Sequence, residues 1–423
     1  MSLIDDKWTI LFDKYNIENE IKKNGRFYIT ADKIREVKEP RLMTKFDTKE
    51  SLPGVFGNKL AILPVTRGKY VIGEFDLYQD FPMAKTDIKQ MKNIKIPEYL
   101  ETIDINDIRS EASAINIMGI TDILDDFLGE NNMLQTVSGR MGSGTFSFRV
   151  DGFTPGTEHR IDVQNSQVEI DAGFENENVF TIIEGKNVIH NNFLVRQLYY
   201  PTRLWNGKIQ KQIRPVFMVY SNNIFRLLEY QFIDMDSYSS LQLIQERNYS
   251  LEDIHINWED LNGVFQSTNI EPEPDVTFIQ ADSFEKVISL VENLSDSPMT
   301  TVEIADLFGF KERQSDYYFN ACKYLGLAEK NKAEDGIKAF LTPLGKSLLK
   351  LCYKARQLEY VKLILKHRLF NEMFELILQK GEVPDKQYIA ARMRELNICS
   401  ENLLLRRASS VRGWLFWIKN LVN

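Results

Sequence analysis

Residues Gln167 to Asn187 read QVEIDAGFENENVFTIIEGKN, and the interpretation of the whole chain turns on them. Gln167, Glu169 and Asp171 alternate with Val168 and Ile170, which predicts a strand with one polar face. Gly173 and the Asn/Glu cluster behind it predict a turn. Val179–Ile183 is apolar and β-branched and predicts a second, buried strand that ends in Glu184-Gly185-Lys186. Side chains two apart in a strand share a face, so Glu184 and Lys186 point the same way. Pairing of the two strands can bring Asp171 beside them. Charges on hairpins are commonly just a solvated strand edge. Here they follow an apolar run, where a Glu and a Lys are costly unless paired or functional. Two carboxylates suit Mg2+, a hard cation that prefers oxygen ligands and keeps several waters. A lysine next to them can orient or deprotonate a water and stabilise negative charge. Glu169, on the same predicted face as Asp171, is a further candidate ligand or base. Gly185 leaves room for a DNA backbone or a neighbouring strand.

Outward from this hairpin, the 423 residues suggest two to four domains. Residues 1–100 read as a mixed α/β domain with a helix over Asp6–Tyr15. Short strands are expected at Lys59–Pro64 and Lys69–Phe75, separated by an Arg67-Gly68 turn. Arg41, Lys45 and Arg67 make this domain a candidate for DNA contact. Residues 101–265 alternate helix and strand around the hairpin, Ile270–Asp275 reads as a linker, and residues 280–423 read as mostly helical. The expected class is α+β multidomain. With 43% hydrophobic and 26% charged residues the composition is globular. No run reaches the roughly 20 apolar residues a bilayer requires, and the expected location is cytoplasmic. The three cysteines and four histidines form neither a CxxC nor an HExxH pattern, which disfavours zinc chemistry. Gly345-Lys346-Ser347 imitates the end of a Walker A motif, but Phe340 stands where glycine is needed. Net charge is −8, unevenly spread: residues 281–423 carry 22 Lys and Arg against 18 Asp and Glu, residues 1–280 carry 30 against 42. The basic surplus lies C-terminally, and phosphates respond to a local patch rather than to the average.

Asp171 followed thirteen positions later by Glu184-x-Lys186 resembles the PD-(D/E)XK nuclease motif, with Ile170 in place of the proline. A helix follows (HNNFLVRQLYYPTRLW from His190). Upstream lie RSEASAINIMGI from Arg109 and TVSGRMGSGTFSFRV from Thr136. This succession is similar to bacterial type II restriction endonucleases with C-terminal winged helices. The resemblance implies a restriction-endonuclease-like core in which a mixed sheet is flanked by helices. It implies Mg2+ held by Asp171 and Glu184, with Lys186 assisting the attacking water. It also implies double-stranded DNA as partner and a cognate DNA methyltransferase as genetic partner, and leaves a homodimer open. In such nucleases an upstream helix can add an acid to the metal region, here Glu111. Polar residues of the helix after the motif, here Arg196 and Gln197 on a face with Phe193 and Tyr200, can approach the scissile phosphate. Pro201 is expected to kink or end that helix. Arg140, in a glycine-rich segment, is a candidate loop contact to DNA.

Residues 283–347 read as a winged helix. Ser283–Leu294 is one helix, Thr300 or Thr301 caps a second that Gly309 closes, and Lys311–Leu325 is the third. Leu327–Lys330 and Ile337–Leu341 make a wing around Asp335-Gly336. The last helix of such a unit enters the major groove, which makes Lys311, Arg313, Gln314, Ser315 and Tyr318 candidate contacts. A second unit, in tandem, is expected from Lys386–Leu396 and the segment after Ser400. In it Arg406, Arg407 and Arg412 are candidate DNA ligands, with Trp414 and Trp417 in the core. Three functions follow: a sequence-specific restriction endonuclease; a non-enzymatic winged-helix DNA-binding regulator; and a repair, nicking or modification-dependent nuclease with the same chemistry.

Overall fold

The computed structural model describes residues 3–57, 59–83, 87–92, 94, 96–334 and 336–422. Asp335, in the expected wing turn, lies outside them. The chain is mixed α and β. Its centre is a seven-stranded sheet in the order Ile88–Gln90, Leu241–Ser250, Ile224–Phe232, Gln212–Ser221, Val179–Lys186, Gln167–Glu175 and Leu134–Gly142. Most pairs are antiparallel. Val179–Lys186 runs parallel to Gln212–Ser221, and Leu241–Ser250 parallel to Ile88–Gln90. A parallel pair needs a crossover. The helix Arg196–Asn206 supplies it and covers one face, while Glu111–Ile120 and Ile123–Leu128 cover the other. Ile182 and Phe217 turn into the first core, Ile183 and Met218 into the second. That double burial explains the mostly apolar run of Val179–Ile183, in which the buried Thr181 hydroxyl donates to Arg214 O.

The first 72 residues form a smaller layer. Helices Leu3–Tyr15 and Ile17–Asn24 pack on a three-stranded sheet of Arg26–Thr30, Lys69–Gly73 and Ala61–Thr66. Trp8, Phe12 and Phe56 meet edge to face in its core. Residues after Gly73 turn to the middle of the molecule: Tyr78–Asp80 pairs with Asn192–Leu194, and Ile88–Gln90 joins the large sheet. Two segments that lie before residue 100 therefore pack with the elements that follow it.

In the C-terminal part, Phe284–Asp296, Thr301–Phe308 and Glu312–Tyr324 are helices, followed by the hairpin Ala328–Ala333 and Gly336–Leu341. Met299 bridges to Ala339 across this unit. Thr300 caps the second helix with Glu303 in a capping box, and Gly309 ends it at φ 65°. The remaining helices do not make a second, separate unit. Leu404–Lys419 returns to the first helix: Trp414 and Trp417 stand 4.9 and 4.2 Å from the Phe284 ring, and Trp414 Nε1 donates to Ala281 O. One apolar core runs through both halves, because the tryptophans that end the chain need the first helix to bury them. No helix among the described residues is long and apolar enough to cross a membrane.

Candidate active site

The site sits where Val179–Lys186, in the middle of the sheet, ends. Its neighbour Gln167–Glu175 matches Leu134–Gly142 in length, but two register shifts, the first between Gln135 and Val137, interrupt their pairing. Its register with Leu134–Gly142 shifts between Val137 and Gly139, which oppose Gly173 and Ile170. Val168 and Ile170 enter one core, Ala172 and Phe174 the other. This is a β-bulge, and it reverses the alternation at Asp171. Asp171 thereby leaves the face of Glu169 and turns towards the end of the Glu184 strand. There its Oδ2 accepts from the Gly185 N–H at 2.9 Å. The strand runs on through Gly173 to Glu175, so the turn comes later than the sequence suggests, at residues 176–178.

Glu184 is 7% exposed. Its Oε1 accepts from Lys186 Nζ and from Gln197 Nε2, both at 2.5 Å. Burial pushes its carboxyl up to about 8, against the pull of Lys186. Burial alone would lower Lys186, but Glu184, Glu111, Asp47 and Asp171 outweigh it and hold the ammonium charged. Lys186 also donates to Gly185 O at 3.1 Å.

Gly185 owes its place to packing within the protein rather than to DNA. A Cβ there would lie 3.1 Å from Ile115 Cδ1 and 3.2 Å from Met218 Cε. Ile115 belongs to the helix Glu111–Ile120, which Ser110 caps by accepting from Ser113 N. Glu111 lies one turn before Ile115 on the same helix face. Its carboxyl is raised by burial, then lowered by Lys186 and raised again by Asp171. The close approach of helix to glycine is thus what brings Glu111 to the two strand ends. Asp171, Lys186 and Glu111 are each partly exposed, whereas Glu184 lies behind them.

Of the helix after the motif, Gln197 joins the site and Arg196 does not. Arg196 Nη2 donates to Gln167 O at 2.8 Å and its guanidinium lies 5.0 Å over the Tyr200 ring. Phe193 is in the strand Asn192–Leu194, so it shares no helix face with them. Pro201, expected to kink or end the helix, does not end it, since the helix runs to Asn206. The flanking hydroxyls of Tyr199 and Tyr200 are anchored on Met235 O and Pro64 O. Glu169 is exposed and pairs with Arg140, its cross-strand partner, at 3.1 Å. Both are committed to each other at the sheet edge, away from Glu184.

Three residues that the sequence did not single out for the site stand around it. Asp47 reaches it from the N-terminal layer because Leu194 N donates to Asp47 O at 2.9 Å. His190 is brought down to about 4, first by burial, with Lys186 also opposing its charge. Lys286 comes from the first C-terminal helix and donates to Asn191 Oδ1 at 2.7 Å. No local pattern links these residues; only the fold does.

The C-terminal candidates divide. Lys311, Arg313 and Gln314 are exposed, but Ser315 is fully buried, and Tyr318 is half-buried in a stack 4.9 Å from Phe310. Helix periodicity places Ser315 on the inner face with Phe319. Arg406 is exposed and lies 5.6 Å over Tyr317, whose ring also faces Arg313 at 5.7 Å. Arg407 is 7% exposed and its Nε has no partner. Arg412 is half-buried, 4.8 Å over Phe416.

Among the described residues no group of three or more His, Cys, Asp or Glu is arranged to hold a metal ion by itself. The donors at the site are nonetheless all oxygen, and Gln197 Oε1, beside Glu184, is buried without a partner. Carboxylates with open oxygen positions fit Mg2+, which completes its shell with water and substrate oxygens.

Three family models match the chain, each described as a domain of unknown function: DUF6996 over residues 5–72, DUF6997 over 73–250 and DUF7226 over 286–423. Their limits follow the N-terminal layer, the central sheet and the C-terminal helices. No curated protein and no solved structure matches.

Proposed function

We propose that the chain is a Mg2+-dependent endonuclease of double-stranded DNA, of the type II restriction kind. The observation that carries this is the convergence of Asp171, at the bulge of one strand, with Glu184 and Lys186 at the end of its neighbour, and with Glu111 and Gln197 delivered from helices on opposite faces. Asp171 and Glu184 would hold the metal, with Glu111 close by. A bound Mg2+ supplies positive charge to the phosphate and acidifies a water. Lys186 stays charged among four acids and orients that water or meets the developing negative charge. Gln197 fixes the Glu184 carboxylate, and the Gly185 N–H fixes Asp171. We read residues 283–341 as a winged helix that contributes DNA affinity through Lys311, Arg313 and Gln314. Arg406 and Arg412 lie on the last helix of the same core.

Digestion of mapped DNA with sequencing of the ends tests the reading. Mg2+ or Mn2+ should support cutting at a defined sequence, EDTA should abolish it, and Ca2+ should support binding without efficient cutting. Full cleavage in EDTA would remove the assignment. Specific binding with no cleavage under any metal would leave a DNA-binding regulator in which Glu184 and Lys186 are a buried structural pair.

A further inference from the structure

We infer that Lys286 is a positioning residue, through which the C-terminal helices hold the segment that follows Lys186; the inference deepens the nuclease reading and rests on it. The segment 187–191 has no regular structure, yet it is fastened at nearly every residue. Asn187 O accepts from Asn293 Nδ2 at 3.5 Å, and Val188 is 3% exposed within the C-terminal apolar core. His190 Nδ1 is 3.3 Å from Phe308 O. Asn192, next along, donates to both Glu50 carboxylate oxygens and accepts from Lys49 N. Asn191 is exposed, and Lys286 Nζ donates to its Oδ1 at 2.7 Å.

Lys286 stands out because its burial is expensive. It is 7% exposed, it lies 5.3 Å over the Phe310 ring, and its ammonium donates to a neutral amide. Glu50 is the acid nearest in effect, and burial still lowers the lysine below its ordinary range. An apolar side chain at that position would cost less to bury. Phe310 stands two residues before the helix proposed to read DNA and stacks on Tyr318 of that helix. Lys286 thus touches the reader on one side and the segment after Lys186 on the other. Asn191 O also accepts from Phe81 N at 2.9 Å, so loss of the Lys286 bond should leave Asn191 tethered on that side alone, loosen the segment and let Lys186 shift from Glu184 without disturbing the DNA-contacting surface.

The test compares wild type, Lys286→Met and Lys286→Arg. Two readouts are used on each: single-turnover cleavage at saturating DNA in Mg2+, and duplex affinity in Ca2+. Lys286→Met should slow cleavage at least about 10-fold, the scale of a misplaced catalytic group, with affinity within about 2-fold. Lys286→Arg should recover most of the rate. Amide hydrogen exchange on the metal-free protein gives a reading independent of activity: residues 187–192 should exchange at least about 5-fold faster in Lys286→Met, with Val179–Gly185 unchanged. Asn191→Ala removes the same bond from an exposed position, and should reproduce both effects if Lys286→Met folds poorly. Cleavage at the wild-type rate in both variants, or equal loss of rate and affinity, overturns the inference. Unchanged exchange in residues 187–192 overturns it too, whether or not the wild type cuts DNA. An inactive wild type whose segment 187–192 still loosens would instead sink the nuclease reading and keep Lys286 as the residue that holds the segment.

Discussion

The central sheet and the C-terminal helices treat buried charge in opposite ways. At the sheet, opposite charges are gathered: Glu184 and Lys186 are in contact, and Asp171 and Glu111 surround them. In the helices, cations are dispersed. Arg407 is buried with an unpartnered Nε, Lys286 meets a neutral amide, and Arg356 stands 3.9 Å from Glu292. A strand end can concentrate charge because neighbouring strands deliver side chains to one point at hydrogen-bonding distance. A helix turns its residues through all directions, so each cation finds its own surroundings. Strand-end charge therefore suits chemistry, and the exposed part of the helical charge suits binding to an extended polyanion.

The largest expected effect tests the gathered side. Asp171→Ala, Glu184→Ala and Lys186→Ala should each lower the cleavage rate at least about 100-fold, while affinity in Ca2+ largely survives because it resides in contacts elsewhere. If Lys186→Ala cuts at the wild-type rate, the chemistry lies somewhere else.

The next effect concerns His190, between the two regions. Its folded pKa of about 4 lies below the ordinary value of 6.5, chiefly through burial. The unfolded chain therefore binds the extra proton more readily. Its contribution is fully present above about pH 6.5 and is lost as pH falls towards 4, by roughly 2–3 kcal/mol in all. Denaturant melts from pH 8 to 4 should show this loss, and His190→Gln should flatten it. An unchanged slope in the variant would assign the acid sensitivity to other groups.

A smaller effect separates the dispersed cations. Arg406→Ala should weaken binding to all sequences alike and lower the salt slope by about one unit if it meets a phosphate. Arg407→Met should leave DNA affinity unchanged and stability neutral or improved, because a buried guanidinium whose Nε has no partner is replaced by an apolar chain. The reverse pattern would mean that the helix turns on binding DNA. The smallest effect is that of Glu169→Ala. The bulge faces Glu169 away from Asp171, so cleavage should stay within about 2-fold of wild type. A loss comparable to that of Asp171→Ala would place Glu169 in the site after all.

These contrasts mark what was legible in the sequence. The Glu184 strand was readable because burial on both faces leaves an almost wholly apolar, β-branched run, and the Thr300 cap and Gly309 stop were readable because capping is local. The bulge was not, since QVEIDAG shows the same alternation with or without an extra residue. Ser315, Tyr318 and Arg407 were misplaced because a charged or polar helix residue is sent inward by what packs on it, which lies far away in the chain. Glu111 was found only through resemblance, and its delivery depends on Ile115 settling against Gly185. Asp47 and Lys286 join through contacts between regions that no window of sequence contains.

Synthesis order gives the Lys286–Asn191 bond a consequence of its own. The two residues are 95 positions apart, so a ribosome adding about 5–20 residues per second leaves Asn191 waiting roughly 5–20 s for its partner. The wait is longer in practice, because the helix that bears Lys286 is buried by Trp414, 133 positions beyond Ala281. The strands can form early, with Asn191 O and Asn192 held by residues already made, but the bond from Lys286 waits for Leu404–Lys419 to bury its helix. If the chain is the nuclease proposed above, Lys186 would have its full support only after Leu404–Lys419 has been synthesised.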